Sequence, residues 1–193
     1  MNARGRDGDA AGLVAPVPLW SWIGTERIAI GSVPPAGLVG DLARQGVTHV
    51  VNCRPWLVVR VHGDLAAERA AFGLAQVAHA PMWDLGLGQR PRWWADAAVF
   101  AARVLDDQPQ ARVLIHCSAG RRRSAMLAYA VLRLRGRTAD EAASLVLRYR
   151  PGAQMVPAYV RSVEQWLSAR RGVRRGRDCR RRNRRPRAGT RRG

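Results

Sequence analysis

The residues with the clearest capacity for chemistry lie in one short segment, His116-Cys117-Ser118-Ala119-Gly120-Arg121-Arg122-Arg123-Ser124. An apolar run, Arg112-Val113-Leu114-Ile115-His116, precedes it and reads as a buried strand. An apolar stretch of helical length, Ser124 to Leu134, follows and stops at Gly136. A tight turn between a strand and a helix can direct its backbone N–H groups inward as an anion nest. The helix N-terminus adds positive partial charge at the same place. Arg123, at the start of that helix, is placed to fork two oxygens of a bound phosphoryl group. In such a field a cysteine ionises well below its free value, in the range of roughly 3.5–7.5. The segment therefore reads as an anion site with a nucleophile beneath it: Cys117 as thiolate, residues 118–123 (Ser118, Ala119, Gly120, Arg121, Arg122 and Arg123) as the phosphate cradle, and Ser124 as the hydroxyl that steadies the sulfur. His116 reads as an orienting residue, because a thiolate already formed needs no base. The competing reading of Cys117 is a plain buried thiol.

The rest of the chain must position this loop. Arg27 to Gly31 and Val47 to Val51 read as strands, and Leu74 to Ala80 as a further, weaker one. Helices are expected over Ala36 to Gln45, Asp64 to Phe72 with Asp64 as its cap, Pro91 to Leu105, Ser124 to Leu134, Thr138 to Tyr149 and about Val156 to Ala169. Thr138-Ala139-Asp140-Glu141 has the capping-box pattern. Pro55 reads as a break, and Met82 to Arg90 as a loop. Strands alternating with helices predict a single α/β domain, with a mostly parallel central sheet of four to five strands flanked by helices. Ligands of such sheets bind beyond the carboxyl ends of the strands. The loops after Val51, Ala80 and His116 should therefore converge there.

The His-Cys-x5-Arg-Ser segment resembles the catalytic loop of the cysteine-dependent protein tyrosine phosphatase superfamily, and more narrowly that of the compact dual-specificity phosphatases. The resemblance extends over roughly Ile28 to Leu167. Ile30-Gly31-Ser32 is similar to the family's opening strand, and Gly46 to Asn52 to its next one. Ala125 to Tyr129 and Arg148-Tyr149-Arg150-Pro151 fit as well. The resemblance implies a phosphatase-like fold and hydrolysis of phosphomonoesters through a phosphocysteine intermediate, with no metal or cofactor. It also implies an aspartic acid on a separate loop that protonates the leaving oxygen and then activates water. Asp84, 33 residues before Cys117 in Pro81-Met82-Trp83-Asp84, fits in spacing and in its adjoining tryptophan. The alternative for Asp84 is a turn-forming residue of a Gly-rich loop. Asp96 is a second candidate, but it falls on the solvated face of an expected helix.

Other residues carry weaker signals. Cys53, at the end of the second strand, is expected near Cys117. Certain lipid phosphatases of the superfamily protect the catalytic thiolate by a reversible disulfide from this strand end; the plainer reading is a small core residue. Arg121 and Arg122 beside Arg123 would favour a highly anionic substrate, unless they point to solvent or pair with acids. Of seven tryptophans, Trp56 and Trp83 are expected on loops at the active-site end, where they could set cleft depth. Trp93, Trp94 and Trp166 are expected in the core, while Trp20 and Trp22 would anchor the N-terminal segment. Gln154 could reach the pocket from the loop after Pro151.

The chain of 193 residues carries a formal net charge of +19, and all 33 of its basic residues are arginine. Thirteen of them, with a single acid, fall between Arg170 and Gly193. Such like-charge blocks bury nothing and are usually disordered. The expected division is an N-terminal extension over 1–25, a phosphatase-like domain over 26–169 and an Arg-rich tail over 170–193. No segment is apolar enough to span a membrane, and the polar N-terminus has no secretory signal pattern. Three scattered cysteines, Cys53, Cys117 and Cys179, argue against a disulfide framework or a metal site and suggest a reducing cytoplasm. The expected partner is a phosphorylated protein, with phospholipid or nucleic acid as possible ligands of the tail. Alternatives are a phosphoinositide or RNA 5′-phosphatase, a rhodanese-like sulfurtransferase, and a binding module in which the loop only holds phosphate.

Overall fold

The computed structural model describes the backbone of residues 18–183 and the side chains of residues 18–172. Five strands form one sheet: β1 (Trp20–Trp22), β2 (Ile28–Ser32), β3 (His49–Asn52), β4 (Val77–His79) and β5 (Val113–Cys117), in the order β1-β2-β5-β3-β4. β1 runs antiparallel to β2, and the other four strands are parallel. Among the described residues seven α-helices surround the sheet: α1 (Val39–Arg44), α2 (Trp56–His62), α3 (Asp64–Phe72), α4 (Ala95–Asp107), α5 (Arg123–Leu134), α6 (Ala139–Tyr149) and α7 (Pro157–Asn183). This is the α/β architecture expected from the sequence.

The two faces of the sheet follow from the period of two along each strand. Ile28 and Ile30 of β2, Val51 of β3, and Val113 and Ile115 of β5 enter the larger core, which is closed by α4, α5, α6 and α7. The intervening Ala29, Val50 and Leu114 enter a smaller core on the other face, with Leu42 of α1, Val59 of α2 and Leu65 of α3. Burial on both faces explains why β5 and β3 read as continuous apolar runs rather than alternating ones. α5 is buried over most of its length, every residue from Arg123 to Leu132. The helix that follows the Cys117 loop is therefore fixed by core packing and not by its own propensity.

Several local expectations are corrected. β1 lies within the span read as an N-terminal extension, and its register of Trp20 opposite Gly31 and Trp22 opposite Ala29 makes it an edge strand of the sheet. Pro55 does not break the chain; it stands at the N-cap of the unexpected helix α2, where a missing N–H costs nothing. Asp64 is the first residue of α3 and does not cap it: its carboxylate is buried against Arg54 (2.9 Å) and Asn52 (2.8 Å). α7 continues to Asn183, past the end expected near Ala169. The parts of the extension and tail over 1–17 and 184–193 lie outside the described residues.

α6 opens on the capping box read from the sequence. The Glu141 N–H donates to the Thr138 hydroxyl (3.2 Å), and the Thr138 N–H donates to the Glu141 carboxylate (2.7 Å). Thr138→Ala removes one of these bonds from an exposed helix end. It should lower the unfolding free energy by about 1 kcal/mol, seen in urea unfolding as a shifted midpoint with an unchanged slope.

Candidate active site

β5 ends at Cys117 and α5 begins at Arg123, so the intervening loop is suspended between two buried elements. Its turn depends on Gly120, which adopts a φ of +68°. A Cβ on Gly120 would lie 2.5 Å from the Gly31 carbonyl carbon, 2.6 Å from the Ser32 nitrogen and 2.6 Å from the Arg150 guanidinium. Both backbone conformation and close packing thus demand glycine here. Arg150 is itself buried: its Nε donates to the Gly120 carbonyl (3.1 Å) and its Nη1 to the Pro18 carbonyl (2.6 Å). This guanidinium ties the loop to the chain entering β1, and its own burial lowers its pKa.

Cys117 is buried, with its sulfur 3.4 Å from the Ser124 hydroxyl and accepting from the Gly120 N–H at 3.3 Å. Burial pushes the Cys117 thiol up. The Ser124 hydroxyl and N–H, the Arg123 charge and the Gly120 N–H outweigh it, so its pKa falls below the ordinary cysteine value. Arg123 is buried too; its Nη2 donates to the Ser118 hydroxyl (3.2 Å) and its Nη1 reaches the Met82 carbonyl (3.4 Å). Its Nε lies 3.5 Å from Asp84 Oδ2 and makes no hydrogen bond among the described residues. The guanidinium is held in place yet keeps donor capacity for an anion.

Asp84 arrives on the loop after β4 and lines a cavity of about 210 Å³ with Cys117, Ala119, Arg121, Arg122 and Gln154. The sequence-expected acid and nucleophile therefore share one cavity. Asp96 does not join them; it lies exposed on α4. The loop carrying Asp84 is fastened from α7, by residues with no local sign of that role in the sequence. The Tyr159 hydroxyl accepts from the Gly86 N–H (3.2 Å) and shares its proton between Asp84 Oδ1 (3.2 Å) and the Trp83 carbonyl (3.4 Å). Burial, with the nearby Asp84 carboxylate adding to it, raises the Tyr159 pKa, so the hydroxyl remains a donor. Ser162 accepts from the Gln89 N–H (2.9 Å), and the Gln89 amide donates to the carbonyls of Trp83 (3.0 Å) and Leu87 (3.2 Å).

Arg121 and Arg122 differ from Arg123 in being exposed at the rim. Arg121 donates to the Gly152 carbonyl (3.1 Å). Arg122 donates to the Gln154 amide oxygen (2.7 Å), with Asp84 at 3.8 Å. Gln154 thus does reach the pocket, and its backbone N–H also holds the Arg121 carbonyl (2.8 Å). Trp83 is on the acid loop as expected, half exposed, whereas Trp56 is the first residue of α2 rather than a loop residue. Trp94 and Trp166 stack edge to face at 5.1 Å in the larger core.

Beneath the loop lies a buried polar chain. His116 Nε2 is 2.7 Å from the Glu68 carboxylate, which accepts from the Asn52 amide (3.1 Å); Asn52 also donates to Asp64 (2.8 Å), the partner of Arg54. These groups join β5, β3 and α3 at the carboxyl end of the sheet. The position of His116 suits an orienting role, since its ring is turned into the protein against Glu68 and away from the cavity-lining residues. Cys53 is buried, and burial, reinforced by the negative charge at Cys117, raises its pKa well above the ordinary value. Its N–H donates to the His116 carbonyl (2.8 Å). Both cysteines are free thiols.

Two consequences are measurable. The Ser124 contacts favour the Cys117 thiolate, so Ser124→Ala should move the pH midpoint of iodoacetamide alkylation at Cys117 upward, with slower alkylation at neutral pH. Tyr159→Phe should release the acid loop. It is expected to reduce kcat by about tenfold with little change in KM, the split that loss of a positioning group gives.

No protein-family model matches the chain, and no curated protein matches it. Solved structures do. The active form of Tk-PTP is 23% identical, with a TM-score of 0.63 over 77% of this chain and 95% of its own. Human DUSP28 is 21% identical, with a TM-score of 0.63 over 80% and 96% of the two chains. PTPMT1 in complex with PI(5)P is 17% identical, with a TM-score of 0.65 over 79% and 99%. The chain has the fold that these phosphatases share.

Proposed function

We propose that the protein is a cysteine-dependent phosphatase that hydrolyses phosphomonoesters through a phosphocysteine intermediate. The observation that carries this reading is the buried Cys117 sulfur, held toward its thiolate by Ser124, Gly120 and Arg123 in a cavity it shares with Asp84. The shared fold supports it.

In this reading the substrate phosphoryl group sits over Cys117, its equatorial oxygens met by the 118–123 backbone N–H groups and the Arg123 guanidinium. The Cys117 thiolate attacks phosphorus and the bond to the ester oxygen breaks. Asp84, as general acid, gives a proton to that oxygen, so the leaving group departs as an alcohol. Asp84 then takes a proton from water as the water oxygen attacks phosphorus. The S–P bond breaks, the sulfur returns to its thiolate against the Ser124 hydroxyl, and phosphate leaves. Positioned donors stabilise charge in both transition states, and this is the main electrostatic contribution the protein can make to phosphoryl transfer.

Phosphotyrosine and phosphoserine or phosphothreonine proteins are the substrates that the sequence resemblance favours. A phosphoinositide or RNA 5′-phosphate would use the same chemistry. The sulfurtransferase alternative gives Asp84 no part, whereas Tyr159 and Ser162 fasten the loop that carries it.

Cys53 is the proposed redox partner. Asn52 pairs with His116 across the parallel β3–β5 ladder, so Cys53 and Cys117 are the next facing pair, roughly one strand spacing apart. Peroxide would oxidise the Cys117 thiolate to the sulfenic acid, and the Cys53 thiol would displace water to form the disulfide. Mass spectrometry of peroxide-treated protein should find the Cys53–Cys117 crosslink, reversed by dithiothreitol. A sulfinic Cys117 with free Cys53 would contradict it.

Hydrolysis of a small aryl phosphate in the presence of EDTA tests the main reading. Cys117→Ser should abolish turnover. Asp84→Ala should lower kcat by about 10²-fold or more while leaving substrate binding intact. Activity that survives Cys117→Ser would remove the proposed mechanism.

A further inference from the structure

The acid loop has an unusual distribution of side chains. Its interior is fixed by polar contacts: Tyr159 holds Trp83, Asp84 and Gly86, while Gln89 and Ser162 close the other end. Its outer side is apolar. Trp83, Leu85 and Leu87 are 41%, 68% and 65% exposed, on a loop otherwise made of Asp84 and two glycines. None of the three lines the cavity that contains Asp84. A loop fixed by polar contacts that still leaves three large apolar side chains in water has a surface suited to another phase or partner.

The surroundings indicate which. Arg121 and Arg122 stand exposed on the rim of the same cavity, and Arg90 and Arg92, also exposed, follow the loop in the chain. Exposed leucine and tryptophan, with arginine on the adjoining rim and next in the chain, is the composition of a surface that seats in the interfacial layer of an anionic bilayer: the apolar groups enter the acyl boundary, indole favours the interface, and guanidinium meets lipid phosphate. A peptide partner would call for a concave apolar wall, whereas these side chains are exposed and line no part of the cavity. The +12 of the C-terminal segment adds long-range attraction to the same kind of surface. No helix among the described residues is long and apolar enough to cross a membrane, so the contact would be peripheral.

We propose that the 83–87 loop docks the protein on anionic membranes, so that the adjoining cavity takes a phosphomonoester carried on a lipid headgroup. The substrate half of this statement rests on the phosphatase reading; the docking half does not. Because Asp84 belongs to the docking loop, seating the loop would bring the acid and the thiolate to the headgroup layer together.

The test is flotation of the full-length Cys117→Ser chain with vesicles of phosphatidylcholine alone and of phosphatidylcholine mixed with phosphatidylglycerol. Binding is expected to the mixed vesicles and to be much weaker to phosphatidylcholine. Leu85→Ser/Leu87→Ser in the same background keeps every charge, and should weaken partitioning about tenfold or more; a thermal melt matching the parent shows that the fold is kept. Equal flotation of the double variant would assign the attraction to the arginines alone and overturn the proposal. No flotation of the parent would overturn it as well. So would failure on vesicles combined with wild-type hydrolysis of leucine-flanked phosphopeptides that the double substitution slows, a result that makes the loop a protein-docking surface. Flotation involves no turnover, so an inactive wild type would sink the phosphatase reading without deciding the docking, and the reverse also holds.

Discussion

The rest of the site depends on one buried sulfur whose surroundings ease its ionisation. Burial alone would push the Cys117 thiol up, since a low-dielectric site disfavours the ionised form. The Ser124 hydroxyl and N–H, the Arg123 guanidinium and the Gly120 N–H outweigh burial and bring it below the ordinary cysteine value, and each is delivered by a different constraint. Ser124 and Arg123 come with the first turn of α5, which core packing fixes. Gly120 comes with a left-handed turn so close to β2 that a side chain would collide with backbone. Arg150 holds the Gly120 carbonyl and fixes that peptide.

The Asp84 side of the cavity has a different origin. The loop carrying Asp84 is anchored in the larger core by Met82, and Tyr159 and Ser162, about one turn apart on α7, hydrogen-bond to it from outside. α7 in turn packs through Tyr159, Val163 and Leu167 into the larger core, and Glu164 on the same helix binds Arg133 (2.6 Å) and the Tyr129 hydroxyl (2.7 Å) of α5. The helix that carries Arg123 and Ser124 and the helix that fastens the Asp84 loop are therefore joined directly. In the proposed reaction, this joint would help hold the two sides of the cavity in register.

How much of this was legible in the sequence depends on locality. Cys117, Arg123, Ser124 and the flanking strand and helix lie within a few residues of one another, so spacing alone exposed them. The Thr138 capping box was legible for the same reason. Asp84 could be found only through the resemblance, because its partners are distant in the chain. Tyr159, 75 residues after Asp84, and Arg150, 30 after Gly120, gave no local sign of their roles; only the packing of α6 and α7 brings them in. Asp64 shows the opposite failure: a residue type that often caps a helix was captured instead by the buried Arg54 and Asn52. β1 was hidden by its three-residue length, and α2 by a proline whose position at the helix start makes it harmless.

The proposed chemistry requires Cys117 to form a covalent bond to phosphorus. Rapid acid quench of the Asp84→Ala protein with an activated aryl phosphate, followed by peptide mass spectrometry, observes that bond directly. Removing the acid should slow breakdown of the intermediate, so near-stoichiometric addition of one phosphoryl group to the Cys117 peptide is expected. A phosphoryl group found on His116 or Ser124, or turnover with no labelled peptide, would contradict it.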